Sequence, residues 1–191
     1  MARPLTPSAR ARSLALSGTV GMRIPGDVQD FGGVEFKLAF AADLIGFGRR
    51  GGTLSAELSA GILGVVTSDW GPESDPRKAA AVRPGADLAL FAAWPIGRGR
   101  IYLGPLVAFD VIWLEASYGG RVQREIRTAL AAGGRAGYQL AIRGRYFARL
   151  DVTGAIAILR QRLTAKSQPD VTIFSTPQAY TVLSLGMGVL F

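Results

Sequence analysis

Along most of this chain large apolar residues recur at every second position, and small or polar residues fill the positions between them. In the closing stretch QAYTVLSLGMGVLF, Leu183, Leu185, Met187, Val189 and Phe191 share one parity, while Tyr180, Ser184, Gly186 and Gly188 share the other. A period of two belongs to a β-strand with one apolar face. Turn residues divide the chain into eight such stretches, spanning 13–24, 34–46, 53–66, 83–94, 100–114, 129–142, 147–160 and 179–191. Strands of soluble proteins usually have about 5 or 6 residues. Stretches of roughly 12 to 15 suit a tilted strand that crosses a bilayer with its rims.

The charges sharpen the two faces. Arg23, Glu35, Lys37, Asp43, Glu57, Asp87, Asp110, Arg135, Arg149 and Asp151 all fall on the parity opposite to the large apolar residues. The rest of that polar parity is small, as in Ser17, Ala39, Ser59, Gly104, Ala108 and Ala155. A solvated outer surface would carry Lys, Glu, Thr and Asn densely. Small residues with an occasional charge fit instead the narrow interior of an eight-stranded barrel, which side chains just fill. Ions in such an interior are costly unless paired, so Asp43, Glu57, Asp87, Asp110, Arg135, Arg149 and Asp151 are expected to form a salt-bridged network in the lumen. Within it Glu57 is the expected partner of Arg135, with Asp43, Gln139 and Arg149 at a lower level.

The connections alternate in length. GFGRRGG, PIGRG and RGRY are tight, whereas PGDVQDFGG, TSDWGPESDPRKAAAV, EASYGGRVQREIRT and QRLTAKSQPDVTIFSTP are longer and polar. Short turns at one end and long loops at the other are the layout of an up-and-down outer-membrane barrel. Aromatic residues collect near both strand ends, with Phe47, Trp94, Phe147 and Phe191 toward the short turns and Phe31, Phe36, Phe109, Trp113 and Tyr118 toward the long loops. Two such girdles are expected at two membrane interfaces. The fold predicted is all-β: an eight-stranded antiparallel up-and-down transmembrane barrel over 13–191, preceded by a flexible segment, 1–12.

Composition narrows the chemistry. The 191 residues contain no Cys and no His, which removes disulfides, thiolate metal sites and the commonest catalytic base. The formal net charge of +8 invites a nucleic-acid reading, but the arginines are scattered at segment ends and form no basic helix. No run approaches the ~18 consecutive apolar residues of a membrane-spanning helix. The opening MARPLTPSARARSLALSG has too short an apolar stretch for a signal peptide, so any targeting segment is expected to be absent from this chain.

On these features, over about residues 13–191, the chain resembles the small eight-stranded outer-membrane barrels typified by the OmpA transmembrane domain and OmpX. The ending LSLGMGVLF is similar to the β-signal of that class, with terminal Phe191 preceded by Leu183, Leu185, Met187 and Val189 at alternating positions. The resemblance implies location in the outer membrane of a Gram-negative bacterium, contact with its lipid and lipopolysaccharide, recognition by the barrel-assembly machinery, and a monomer. Barrel enzymes of similar fold rely on a histidine with serine or carboxylate, so no catalytic residue and no cofactor is expected here.

Three motifs compete with blander readings. GFGRRG at Gly46, Gly48 and Gly51 fits the dinucleotide pattern G-x-G-x-x-G, but the two-residue alternation that follows predicts a strand where a Rossmann fold needs a helix. Asp69, Glu73 and Asp75 share one loop without the spacing of an EF-hand, and no metal is expected. Arg77, Lys78, Arg121, Arg124, Arg127, Arg160, Arg162 and Lys166 lie in or beside the long loops, where they would gather much of the net charge and bind anionic polymers or lipid phosphates. The function expected is a non-enzymatic barrel with a structural or surface role and a filled lumen. A small gated pore and a soluble lipocalin-like ligand-binding barrel are the alternatives.

Overall fold

The computed structural model describes residues 13–26, 32–48, 51–70, 77–118, 121–165 and 168–191. Seven long strands follow one another: β1 Leu14–Pro25, β2 Gly33–Phe47, β3 Gly52–Trp70, β4 Arg77–Ile96, β5 Gly99–Tyr118, β6 Arg121–Arg143 and β7 Tyr146–Leu159. After a two-stranded hairpin, β8 Arg162–Ala165 and β9 Gln168–Ser175, comes the last long strand, β10 Ala179–Leu190. All neighbours are antiparallel, and β10 pairs with both β7 and β1, closing the sheet into an eight-stranded barrel with no free edge. Closure satisfies the backbone ladders internally, the condition for crossing hydrocarbon with strands.

The alternation becomes two walls. In β1 the exposed Leu16, Val20 and Met22 alternate with buried Ala15, Ser17 and Arg23, and in β10 Leu185 is 66% exposed while Val182 is buried. Outside is an apolar sleeve and inside are the charges and small residues. Phe36, Phe109, Trp113, Phe47, Trp94 and Phe191 all stand on the outer wall, and Phe47 meets Trp94 edge to face with centroids 6.0 Å apart. Between Asp43 and Ile45 the β2–β3 ladder shifts register, and this bulge turns Leu44 and Ile45 outward together.

The tight turns are glycine turns. Gly48 and Gly51 flank the β2–β3 turn, and Gly97 and Gly144 open the other two, all with φ between 57° and 75°. That left-handed region costs glycine little. Because β3 follows at Gly52, the glycine-rich stretch is a hairpin turn and not a dinucleotide loop.

Four expectations need correction. The segments read as long loops at 77–82, 115–118 and 121–128 are strand: β4, β5 and β6 extend past the apolar sleeve, with Tyr118 opposite Arg121. Backbone ladders continue wherever partners exist, and the polar residues here simply hide the period. The last long connection contains the β8–β9 hairpin, whose base is tied by paired hydrogen bonds between Gln161 and buried Thr176. Phe147 is not in a girdle; it shares the parity of Arg149 and Asp151 and is buried inside. The polar parity is also less uniformly small than its sequence suggests, since Leu63, Phe91, Tyr102, Ile112 and Leu114 pack inward. Residues 1–12, Phe31, Arg49, Arg50, Glu73, Asp75 and Lys166 lie outside the described residues, as do the side chains of Asp69, Arg77, Lys78 and Tyr118.

Candidate functional site: the charged lumen

The inner wall gathers charges from seven of the eight strands into one alternating chain. At the extended-strand end, Arg83 of β4 donates to Asp110 of β5 at 2.6 Å, and Arg23 of β1 reaches the same carboxylate at 3.2 Å. Arg23 also donates to Glu35 of β2 at 3.2 Å and lies 4.2 Å from the centre of the Tyr180 ring. Lys37 of β2 pairs with Glu35 and with Asp87 of β4. Arg135 of β6 then links Asp87 at 2.8 Å to Glu57 of β3 at 2.6 Å, and Arg149 of β7 links Glu57 at 2.9 Å to Asp151 at 2.8 Å. Tyr102 of β5 donates its hydroxyl to Asp151 and closes the series.

Each link has a local cause. A bidentate guanidinium can join two carboxylates on different strands, and Arg23, Arg135 and Arg149 all join two. Neutral acceptors complete the shells of two arginines, Thr153 accepting from Arg135 Nε at 2.9 Å and Ser17 from Arg149 Nη1 at 3.0 Å, whereas the buried Nε of Arg23 and of Arg83 have no hydrogen-bond partner among the described residues. Gly137 leaves the space in which Tyr102 meets Asp151, since a Cβ there would overlap both groups. Desolvating so many ions would cost several kcal/mol apiece if they stood alone. The alternation of sign offsets that cost.

Below this chain lies a separate pair. Asp43 accepts from Ser13 and Ser55 and is 3.2 Å from Arg100, whose Nε donates to Gln139 at 2.7 Å. Two small cavities interrupt the packing. One of about 20 Å³ is lined by Lys37, Glu57, Arg135, Arg149 and Asp151, with others; the second, of about 30 Å³, by Ser17, Ser55, Arg100, Gln139 and again Glu57 and Arg149. A water needs roughly 10–15 Å³, so the first has room for one or two and the second for two or three. The Glu57–Arg149 pair borders both.

All seven sequence-predicted lumen residues therefore stand on the inner wall, and Glu57 does pair with Arg135. Arg149 starts on the rung of Gln139, as expected of a lower position, but its side chain reaches up into the main chain of charges. Arg23, Glu35, Lys37, Arg83 and Arg100 join the network without having been among its expected members, although the first three were read on the same polar parity. Arg83 shares the parity of Asp87, and that signal was available; Arg100 sits beside a turn, where parity says little. Among the described residues no group of three or more carboxylates is placed to hold a metal ion.

The charges of the whole chain now sort into three groups. Inside the barrel, Arg23, Lys37, Arg83, Arg100, Arg135 and Arg149 balance Glu35, Asp43, Glu57, Asp87, Asp110 and Asp151. By count along the sequence, the segments that hold the eight bases expected to bind anions, together with the β1–β2 connection, also hold eight acids: Asp27, Asp30, Asp69, Glu73, Asp75, Glu115, Glu125 and Asp170. Arg124 indeed pairs with Glu115 at 2.7 Å, and Arg127 with Glu125. By count, then, these segments carry no net charge. The excess belongs to Arg49, Arg50, Arg98, Arg143 and Arg145 around the short turns and to Arg3, Arg10 and Arg12 ahead of β1.

No protein-family model and no curated protein matches the chain. Solved structures do. A major outer membrane protein from Thermus thermophilus is similar over 95% of this chain and 100% of its own, with a TM-score of 0.61 at 13% identity. Neisserial surface protein A (NspA) is similar over 93% and 96%, with 0.51 at 10%. Ail, the attachment invasion locus protein of Yersinia pestis, in complex with the heparin analogue sucrose octasulfate, is similar over 94% and 97%, with 0.51 at 11%. At such identities the likeness is one of fold. This chain has the fold of the small eight-stranded outer-membrane β-barrels.

Proposed function

We propose that the protein is a non-enzymatic, integral outer-membrane barrel with a structural or surface role, whose lumen is closed to ions. The observation that carries this reading is the alternating chain of ion pairs from Arg83 to Asp151, which links seven strands across the inner wall and is bordered by cavities of about 20 and 30 Å³. A conducting pore would need those pairs to separate, and each separation exposes a buried charge without its partner. The absence of histidine from the sequence supports a role without acid–base catalysis. In the same reading the outer wall contacts membrane lipid, and Leu183, Leu185, Met187, Val189 and Phe191 serve as the address for assembly. Ail is described with a heparin analogue; the long-connection segments of this chain hold, by count, eight bases and eight acids and so no net charge to attract polyanions.

The test has two parts. Refolded into detergent, the protein should run at a different position in SDS gels before and after boiling, as a closed barrel does. In planar bilayers it should give small, rare openings, made more frequent by Arg135→Gln, which leaves Glu57 and Asp87 short of a partner. Large, stable currents from the unaltered protein would overturn the closed lumen.

A further inference from the structure

We infer that the short-turn rim is a docking surface for the phosphate headgroups of anionic phospholipids in the membrane leaflet that surrounds it. By count along the sequence, the six bases and six acids of the lumen cancel, the long-connection segments hold eight of each, and the excess of +8 falls in the short-turn segments and ahead of β1. Arg98, Arg143 and Arg145 are exposed on this rim, and among the described residues none of them forms an ion pair with a carboxylate.

The three arginines are held close together by the barrel. The Ala141 amide donates to the Arg98 carbonyl at 3.0 Å, which ties the β4–β5 turn to the strand that ends at Arg143. Gly144 follows in a left-handed conformation and delivers Arg145 to the same rim, where its carbonyl accepts from the Leu190 amide at 2.8 Å. Each arginine also stands next to outward apolar surface: Ile96 precedes Arg98 by two residues, Ile142 precedes Arg143, and Tyr146, 63% exposed, follows Arg145. Aromatic and aliphatic side chains at this height mark the boundary of the hydrocarbon. Guanidinium groups just beyond it lie at the depth of lipid phosphates, which their planar fork can bind bidentately. Basic residues near an anionic membrane surface are attracted to it individually. Carboxylates that would compete for them are missing from all three short turns. A soluble polyanion would need the guanidinium groups to face away from the bilayer, and their position against the apolar sleeve favours lipid.

The experiment reconstitutes the refolded protein in phosphatidylcholine vesicles and measures, by electron spin resonance, the relative association of spin-labelled phosphatidylglycerol and phosphatidylcholine. Phosphatidylglycerol should be preferred by about threefold or more at low salt, and the preference should shrink as salt screens it. The triple variant Arg98→Ser, Arg143→Ser, Arg145→Ser should lose most of the preference, while Arg121→Ser, Arg124→Ser, Arg127→Ser at the other end should keep it. Boiling-dependent gel migration reports folding, and the single variants Arg143→Ser and Arg145→Ser, each with a partial loss, serve if the triple variant does not refold. No preference in the parent, a preference that survives the short-turn substitutions, or an equal loss in both triple variants would overturn the inference. So would displacement by inorganic phosphate beyond the effect of sodium chloride at equal ionic strength, which would assign the rim to soluble phosphate. None of these outcomes depends on whether the lumen conducts.

Discussion

Glu57 and Leu58 are neighbours in β3, and the wall of the barrel passes between them. Glu57 is buried against two arginines, whereas Leu58 is 58% exposed on the outer sleeve. In a water-soluble barrel the same strand would turn its leucine inward and its glutamate outward. The difference shows that the inner and outer walls obey different rules. Outside, where the proposed neighbour is lipid, any large apolar group is acceptable, so sequence detail matters little. Inside, each ion is acceptable only with particular partners at particular distances, and one change disturbs residues on several strands.

The strongest way to break this contrast is to remove Glu57. Glu57→Ala leaves Arg135 and Arg149 each with one carboxylate fewer, and losing one partner of a buried pair costs about 3–5 kcal/mol. Leu58→Ala, one position away, should cost far less. Urea titration of the folded protein in vesicles compares them, and equal losses would mean that the two walls are not distinct.

A charge on the wrong wall should come next. Leu185 lies opposite Val20 and Leu150, near the middle of β10, with its side chain outward. Leu185→Arg should cost roughly 2–4 kcal/mol if the position is near the bilayer midplane. Ser184→Arg, on the inner wall, should act by crowding the lumen instead. Folding yield by gel migration and the urea midpoint both report the effect, and a Leu185 variant that inserts like the parent would reverse the assignment of the faces.

The smallest effect is expected from a single methyl group. At Gly137 an added Cβ overlaps Tyr102 and Asp151, while at Gly154, which faces outward, it meets nothing within 4 Å. Gly137→Ala should therefore cost about 1–3 kcal/mol through overpacking. Gly154→Ala should be neutral or slightly stabilising, since alanine loses less backbone freedom than glycine. Similar midpoints for the two variants would show that the inner wall is loose enough to yield.

Parity along the sequence was sufficient to separate the two walls, because a strand has only two sides and the large apolar residues mostly share one of them. It placed the strand charges on the inner wall from Arg23 to Asp151, and it would have placed Phe147 and Arg83 correctly had it been applied without exception. It did not reveal that β4, β5 and β6 run on through Arg77, Tyr118 and Arg121, since backbone hydrogen bonds continue where side-chain polarity gives no signal. Nor did it show the small hairpin in the last connection.

What the sequence determined by itself was a local matter: the period of two, the glycines that turn the chain, and the identity of the charges. Which cation meets which anion was decided only when the sheet closed. Arg149 and Glu57 are 92 positions apart, and Lys37 and Asp87 are 50. Their meeting depends on the register of strands that are not neighbours in the sheet, and a long side chain can span more than one rung. The distribution of net charge was decided in the same way. Every arginine was visible from the start, but only the folded barrel showed that, among the described residues, Arg23, Arg83, Arg135 and Arg149 face carboxylates inside while Arg98, Arg143 and Arg145 stand exposed at the short-turn rim.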